Sequence, residues 1–294
     1  MFVLTRNGKF YSFFLAIILS VIPGFPAGAA ESGLIQIKGS DTMVNLGQAW
    51  AEEFMARRPE VSIAITGGGS GTGISAMISG TCDIAQASRD ITAEEKTQAL
   101  GNGIPVEETM VAYDGIAVVL HPSNPVNHLT LPQLSDIFTG KITNWKEVGG
   151  SDLPILVLSR ERNSGTHVFF LEHVLRGGNS KGPEEFAHQA LMMPSSQAII
   201  QEVVSNEAAI SYVGLGYVGD GIKVLSVSGD EASEPVAPSL ETVQSGAYPI
   251  SRPLLFLTRG MPEGDIKAFV EFVLSADGQE IVELMDFVPL TKQP

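Results

Sequence analysis

Strand-like and helix-like patterns take turns along this chain, and loops rich in glycine and hydroxyl side chains follow one strand after another. Residues 34–38 alternate like a half-buried strand, an amphipathic helix is expected from about 44 to 58, and 61–66 is strand-like again. A helix over 73–79 leads to a strand over 82–87, then a helix over 93–100 precedes an apolar strand over 116–121. The pattern then restarts, with helices expected over 131–139, 166–175 and 195–205 and strands over 155–159, 209–213 and 222–227. The tail returns to the opening style, with a strand over 254–258 and helices over 265–275 and 277–285, while the Pro-, Ser- and acid-rich stretch 227–240 is the loosest. Such alternation specifies an α/β fold. A second half that restarts the pattern, and a tail that matches the first half, suggest two lobes, with the chain crossing over and returning. We expect lobe one over 31–113 and 251–294 and lobe two over 114–250.

Composition narrows what such a fold can do. With 294 residues, 44% of them hydrophobic, the chain can bury a sizeable core. Its net charge of −15 argues against a broad footprint for nucleic acid or an anionic membrane, so any anion site must be local. The one cysteine, Cys82, cannot close an intrachain disulfide or build a structural zinc site alone, and its place before an apolar stretch reads as buried filler. At the N-terminus, Arg6 and Lys9 precede an apolar run over 10–22, followed by Pro23, Pro26 and the small residues Ala27-Gly28-Ala29-Ala30. This is the order of a secretory signal peptide over 1–29, cleaved near Ala29. The apolar run is shorter than the roughly 20 residues a spanning helix needs. No cysteine stands at the cleavage site, so a soluble exported protein, in the periplasm, is expected rather than a lipid-anchored one.

Four loops share one composition: Gly39-Ser40-Asp41-Thr42, the run from Gly67 to Gly73 around Ser70, Ala87-Ser88-Arg89-Asp90, and the run from Arg160 to Thr166. Each follows an expected strand, where ligands of open α/β sheets sit. Hydroxyls donate to oxyanion oxygens, glycines let backbone N–H groups come close, and arginine offers a planar pair of donors. Any one of these loops is explained as well by helix capping and turn chemistry. Four together, two of them carrying arginine, point to an oxyanion cradle.

Competing motifs fail on context. Gly71-Thr72-Gly73-Ile74-Ser75-Ala76 matches a dinucleotide fingerprint, but Asp90 comes too soon after it to be the ribose-binding acid. There is no P-loop motif, and neither Ser70 nor Ser164 lies in G-x-S-x-G. The histidines His121, His128, His167, His173 and His188 lack the spacing of a zinc enzyme, and Trp50 and Trp145 read as core residues.

At these loops, and in Asp83-Ile84-Ala85-Gln86-Ala87-Ser88-Arg89, Asp114-Gly115-Ile116, Ile137 to Trp145 and Tyr212 to Tyr217, the sequence resembles the phosphate-binding proteins of bacterial phosphate ABC importers. These belong to the type II periplasmic binding protein superfamily, so the resemblance implies a two-lobed α/β fold in which each lobe is a mixed sheet flanked by helices. The resemblance spans essentially all of the chain after the signal peptide. It implies phosphate contacts at Thr42 and the Met43 amide, at Ser70, at Ser88 and Arg89, and at Arg160, Ser164, Gly165 and Thr166. One departure stands out. Where well-known members carry a carboxylate that accepts the phosphate proton, this chain has Arg89, leaving Asp90, Asp41 and Asp114 as candidate acceptors. The resemblance further implies a monomer that binds inorganic phosphate between its lobes and delivers it to the transmembrane subunits of an ABC importer. No catalysis, cofactor, metal or nucleic acid is expected. The alternatives are an exported phosphate-ester hydrolase using a cradle serine such as Ser70 as nucleophile, and a binder or sensor of another oxyanion such as sulfate or molybdate.

Overall fold

The computed structural model describes residues 33–290, so the expected signal peptide lies outside the described residues. The first third of the fold runs β1 (Leu34–Gly39), a 3-10 turn over Asp41–Met43, α1 (Val44–Arg57), β2 (Ser62–Thr66), α2 (Ser70–Ile78), β3 (Ile84–Ala87) and α3 (Ala93–Gly101). The long strand β4 (Val106–Leu120) leads to β5 (His128–Thr130), α4 (Leu131–Phe138), β6 (Leu156–Arg160), α5 (Gly165–Phe170) with a π-turn over Leu171–Leu175, β7 (Leu191–Met193), α6 (Ser196–Ser205) and β8 (Ala209–Gly214). Two short strands, β9 (Lys223–Val224) and β10 (Ser226–Ser228), precede α7 (Leu240–Gln244), β11 (Ser251–Arg259), α8 (Gly264–Leu274) and α9 (Ala276–Leu284).

The main sheet has the order β2-β1-β3-β11-β4-β8-β6-β7, with β9 also on β4. Its outer parts are parallel, β2-β1-β3 on one side and β8-β6-β7 on the other. Between them β11 runs antiparallel to both β3 and β4, and β4 antiparallel to β8. Strand β4 changes partner midway: Val106 to Gly115 pair with β11, and Ile116 to Leu120 pair with β8.

The apolar pattern explains where each element packs. In α1, Leu46, Trp50 and Phe54 recur every four residues and bury one stripe beside Ile35, Ile37, Phe256 and Phe269. A second cluster gathers Ile74, Met77, Cys82 and Leu257 between α2 and the sheet. The third and largest surrounds Val118, Phe138, Trp145, Phe170 and Tyr212, with the Phe170 and Tyr212 rings stacked at 3.9 Å. Both tryptophans are buried and spend their indole N–H on backbone carbonyls, Trp50 on Gly278 and Trp145 on Ala208. Burial pushes the Cys82 thiol up to about 11, which suits a packed side chain and not a nucleophile.

Several boundaries differ from the sequence reading. The strand expected over 116–121 begins ten residues earlier, because Val106–Tyr113 is edge-polar sequence held in place by β11 rather than by its own apolarity. The expected helix over 73–79 starts at Ser70, since the glycines before it supply the turn. The strand expected over 222–227 divides at Leu225 into β9 and β10, which join different sheets. Strand β7 was not expected at all; its three residues are held as strand by pairing with β6.

Candidate functional site

Parallel strands β1 and β3 in one part of the sheet, and β6 and β8 in the other, release their polar loops toward one another. Gly39 ends β1 and hands over to Ser40 and Thr42, Ala87 ends β3 and hands over to Ser88, and Arg160 ends β6 a few residues before Ser164–Thr166. The hydroxyl-bearing residues Ser40, Thr42, Ser70, Ser88, Ser164 and Thr166 are none of them more than 3% exposed. Burying that many hydroxyls is costly unless each is bonded, and the bonds they make define the site.

Three serines form one group. Ser40 Oγ donates to Ser88 Oγ at 2.8 Å, Ser70 Oγ lies 3.3 Å from Ser88 Oγ, and the Ser88 amide donates to Ser70 Oγ at 3.0 Å. Ser70 reaches this group because Gly69 holds φ at 92°, a left-handed value that a side chain would oppose, so the loop turns directly into α2. Gly165 closes over the group: a Cβ there would overlap Ser70 Oγ and come within 2.7 Å of Ser88 Oγ. Asn163, just before it, donates from Nδ2 to the Gly68 carbonyl at 2.8 Å and accepts from the Gly71 amide at 3.0 Å. The glycine loop and the 160–166 loop are thereby latched to each other.

A second group joins Thr42 and Thr166, whose hydroxyls are 2.9 Å apart. Beneath them lies Arg252 of β11, with a fully buried side chain. Its Nη2 donates to Thr166 Oγ1 at 3.0 Å and Thr42 Oγ1 at 3.2 Å, and its Nη1 donates to the Ser88 carbonyl at 2.9 Å. Asp114 of β4 balances the charge, accepting from Arg252 Nη2 at 2.8 Å and Nε at 3.1 Å, while its other oxygen accepts from the Leu215 amide at 3.2 Å. Burial pushes the Asp114 carboxyl above its usual range even with the guanidinium beside it.

Arg160 is buried a little further along. It pairs with Asp41 at 3.2 Å, donates to Ser196 Oγ at 3.0 Å and also reaches the Met193 and Pro194 carbonyls. Asp41 in turn accepts from the Ser196 amide at 2.9 Å, so the first loop, the end of β6 and the start of α6 share one network.

The structure therefore brings together Thr42, Ser70, Ser88, Ser164, Gly165 and Thr166, with Arg160 beside them. Ser164 caps α5, accepting from the His167 amide. Two expected residues sit differently. The Met43 amide donates to the Ser40 carbonyl at 3.2 Å and its side chain enters the core. Arg89 spends both terminal nitrogens on Glu95, at 2.9 and 2.8 Å, and turns one of them also to the Asp90 carbonyl. Among the candidate acceptors, Asp41 and Asp114 are inside the network and Asp90 is exposed.

A family model described as the PBP superfamily domain matches residues 26–277. The phosphate-binding protein PstS of Bacillus subtilis is 34% identical over 265 residues, covering 88% of this chain and 82% of that protein. The chain belongs to that family. Two solved structures agree. A phosphate ABC transporter substrate-binding protein from Clostridium perfringens, solved with bound phosphate, is 39% identical with a TM-score of 0.78 and is covered completely by 88% of this chain. An ABC-type phosphate transport receptor from Vibrio cholerae is 30% identical with a TM-score of 0.70, again covered completely, by 87% of this chain.

Within this PBP-superfamily fold, the residue that sequence reading missed is Arg252. A signal was present: one arginine in the otherwise apolar run from Ile250 to Thr258, and one aspartate just ahead of the apolar run Ile116 to Leu120. A charged residue in a buried strand requires an opposite charge nearby. The pair could have been matched on that ground alone. Among the described residues no group of His, Cys, Asp or Glu is arranged to hold a metal ion, and no helix is long and apolar enough to cross a membrane.

Proposed function

We propose that this chain is an exported solute-binding protein that holds inorganic phosphate between two lobes and delivers it to the transmembrane subunits of an ABC importer. The observation that carries the reading is the convergence of Thr42, Ser70, Ser88 and Thr166 hydroxyls from opposite parts of the sheet, backed by the buried cations Arg160 and Arg252. Hydroxyls and the first amides of α5 are directional donors for a tetrahedral oxyanion. Arg160 and Arg252 are each paired with a carboxylate and still aim guanidinium donors into this network, in a protein whose net charge of −15 leaves an anion site to be built locally. The relatives named for phosphate binding, and the Clostridium perfringens structure with phosphate bound, support the choice of ligand.

Lobe one takes in 31–113 and 251–294 and lobe two 114–250, joined by the crossings in β4 and at the start of β11. Two crossing strands permit hinge closure, and a ligand touched from both sides favours the closed form by differential contact. The protein acts as a periplasmic monomer, and no covalent chemistry is needed: the Ser40, Ser70 and Ser88 hydroxyls bond one another and the Ser88 amide rather than a general base.

Calorimetry on purified, anion-stripped protein with phosphate, sulfate and molybdate, run beside a phosphatase assay, tests this reading. Saturable phosphate binding at one site without ester hydrolysis is expected. Turnover of a phosphate ester that is lost in Ser70→Ala would replace it with a hydrolase.

A further inference from the structure

Arg252 does more at this site than balance Asp114. Its Nη2 carries two hydrogens and has three acceptors in reach: Asp114 Oδ2 at 2.8 Å, Thr166 Oγ1 at 3.0 Å and Thr42 Oγ1 at 3.2 Å. One hydrogen goes to the carboxylate and the other is shared by the two threonines. A guanidinium has donors and no acceptor, so toward it each threonine oxygen can only accept. Both hydroxyl hydrogens must then point away from Arg252. One of them makes the 2.9 Å bond between the two hydroxyls, and the other is left to donate.

A hydroxyl ordinarily chooses between donating and accepting by rotating. Donors fixed beforehand serve an anion better, because nothing has to reorganise when it arrives. We propose that Arg252 is a positioning residue for the phosphate site, which fixes the Thr42 and Thr166 hydroxyls so that the one hydrogen they have to spare is a donor set in advance for the anion. This rests on the phosphate reading above and deepens it. Asp114 has the supporting part, holding the guanidinium through Nε and Nη2 so that one Nη2 hydrogen is free for the threonines. Thr42 follows β1 and Thr166 follows β6, so a single arginine on β11 holds hydroxyls from both parts of the sheet at once. The specificity follows directly. The spare hydrogen of the threonine pair takes an unprotonated phosphoryl oxygen, and the phosphate O–H faces the Ser40, Ser70 and Ser88 group, whose hydroxyls keep both roles.

The test is a set of double-mutant cycles read by calorimetry with inorganic phosphate, on wild type, Arg252→Lys, Thr42→Val, Thr166→Val and the two double variants. Arg252→Lys should weaken phosphate binding about tenfold in the wild-type background and by less than about threefold once either threonine hydroxyl is gone. Equal losses in all three backgrounds would overturn the proposal, making Arg252 a brace or a bare charge. Thermal unfolding of the same proteins separates a brace, which lowers the melting temperature without coupling to the threonines. Should Arg252→Lys fail to fold, Asp114→Asn with Arg252→Met removes both charges together and carries the same cycles with the same two outcomes. Wild type that binds phosphate with no coupling defeats the positioning role alone. Wild type that binds none of phosphate, sulfate and molybdate defeats the phosphate reading as well.

Discussion

Of the three arginine–carboxylate pairs at the proposed site, those of Arg89 with Glu95 and of Arg252 with Asp114 differ most in what they leave over. Arg89 and Glu95 lie at its rim, with side chains 10% and 21% exposed, and the pairing is bidentate, both guanidinium ends on both carboxylate oxygens. Arg252 and Asp114 lie at its centre, both fully buried; Nε and Nη2 of the guanidinium hold one carboxylate oxygen, Nη2 also serves the threonines, and Nη1 serves the Ser88 carbonyl. With both of its terminal nitrogens held by one carboxylate, and one of them also by the Asp90 carbonyl, the Arg89 fork has little to offer a third group. The pair at the rim closes on itself; the central pair is open to its neighbours. At Glu95 burial opposes ionisation, yet the bonds from Arg89 and the Thr92 amide outweigh it and hold the carboxyl below its usual range. At Asp114 burial prevails and the carboxyl moves the other way.

The sharpest way to break this comparison is to remove one arginine at a time. Arg252→Ala strands a carboxylate with no access to water, which costs about 3–5 kcal/mol of stability. Arg89→Ala leaves Glu95 able to rehydrate, and the loss should stay below about 1 kcal/mol. Urea denaturation at pH 7 measures both. Similar losses for the two variants would mean that the pairs are equivalent and that position in the fold is irrelevant.

The same contrast explains what could be read from the sequence. The loops that carry Ser40, Thr42, Ser70, Ser88 and Ser164–Thr166 were legible because turn and capping chemistry is local: glycines and hydroxyls announce a strand end within a few residues. The helices over Val44–Arg57 and Ser196–Ser205 were legible for a similar reason, since their apolar spacing repeats within the element. Arg252 and Asp114 meet across 138 residues of sequence, and only the antiparallel register of β11 on β4 brings them face to face. The polar first half of β4 was missed on the same account. Its strand conformation is imposed by β11, while its own residues, Val-Glu-Glu-Thr-Met, carry no apolar run. Arg89 shows the reverse error of emphasis: its place in a loop motif was plain, but Glu95 one turn into α3, which binds it, was part of a capping box.

His167 offers the next largest effect, because the Glu185 charge and a backbone bond near Arg160 do not outweigh its burial. It sits one residue after Thr166, with Nδ1 3.1 Å from Ser159 Oγ and its ring 4.6 Å from that of Phe186. Burial, reinforced by the nearby Arg162 and Arg160 charges, pushes its pKa from 6.5 down to about 4. Between those values the unfolded chain binds a proton that the folded chain refuses. Stability is therefore present above pH 6.5 and is lost as pH falls toward 4, by roughly 2–3 kcal/mol. Urea midpoints at pH 7 and pH 4.5 should show this loss in wild type and a smaller one in His167→Gln. An unchanged acid loss in the variant would place the titrating group elsewhere, with the carboxylates of the two pairs as the first candidates.

The last and finest test compares arginines for their effect on binding. Arg160 is buried, and its Nη1 is shared between Asp41 at 3.2 Å and Ser196 Oγ at 3.0 Å, a looser hold than the bidentate grip of Glu95 on Arg89. An anion arriving at the neighbouring Ser164–Thr166 turn can compete for such a donor. Removing it in Arg160→Ala should weaken phosphate binding by about 1.5–3 kcal/mol, as loss of a charge-assisted bond to a desolvated anion does. Arg89→Ala should change affinity by less than about 1 kcal/mol, since it takes away a charge that Glu95 already neutralises. Glu95→Gln sharpens the point. With the carboxylate gone, the Arg89 fork is released beside Gly71, whose added Cβ would lie 3.7 Å from Nη2. Calorimetry should then find tighter binding of phosphate and of sulfate alike, because a freed cation attracts both and distinguishes neither. If Glu95→Gln leaves both affinities where they were while Arg89→Ala costs as much as Arg160→Ala, then Arg89 already reaches the anion with Glu95 in place, and the division between a closed rim and an open centre fails.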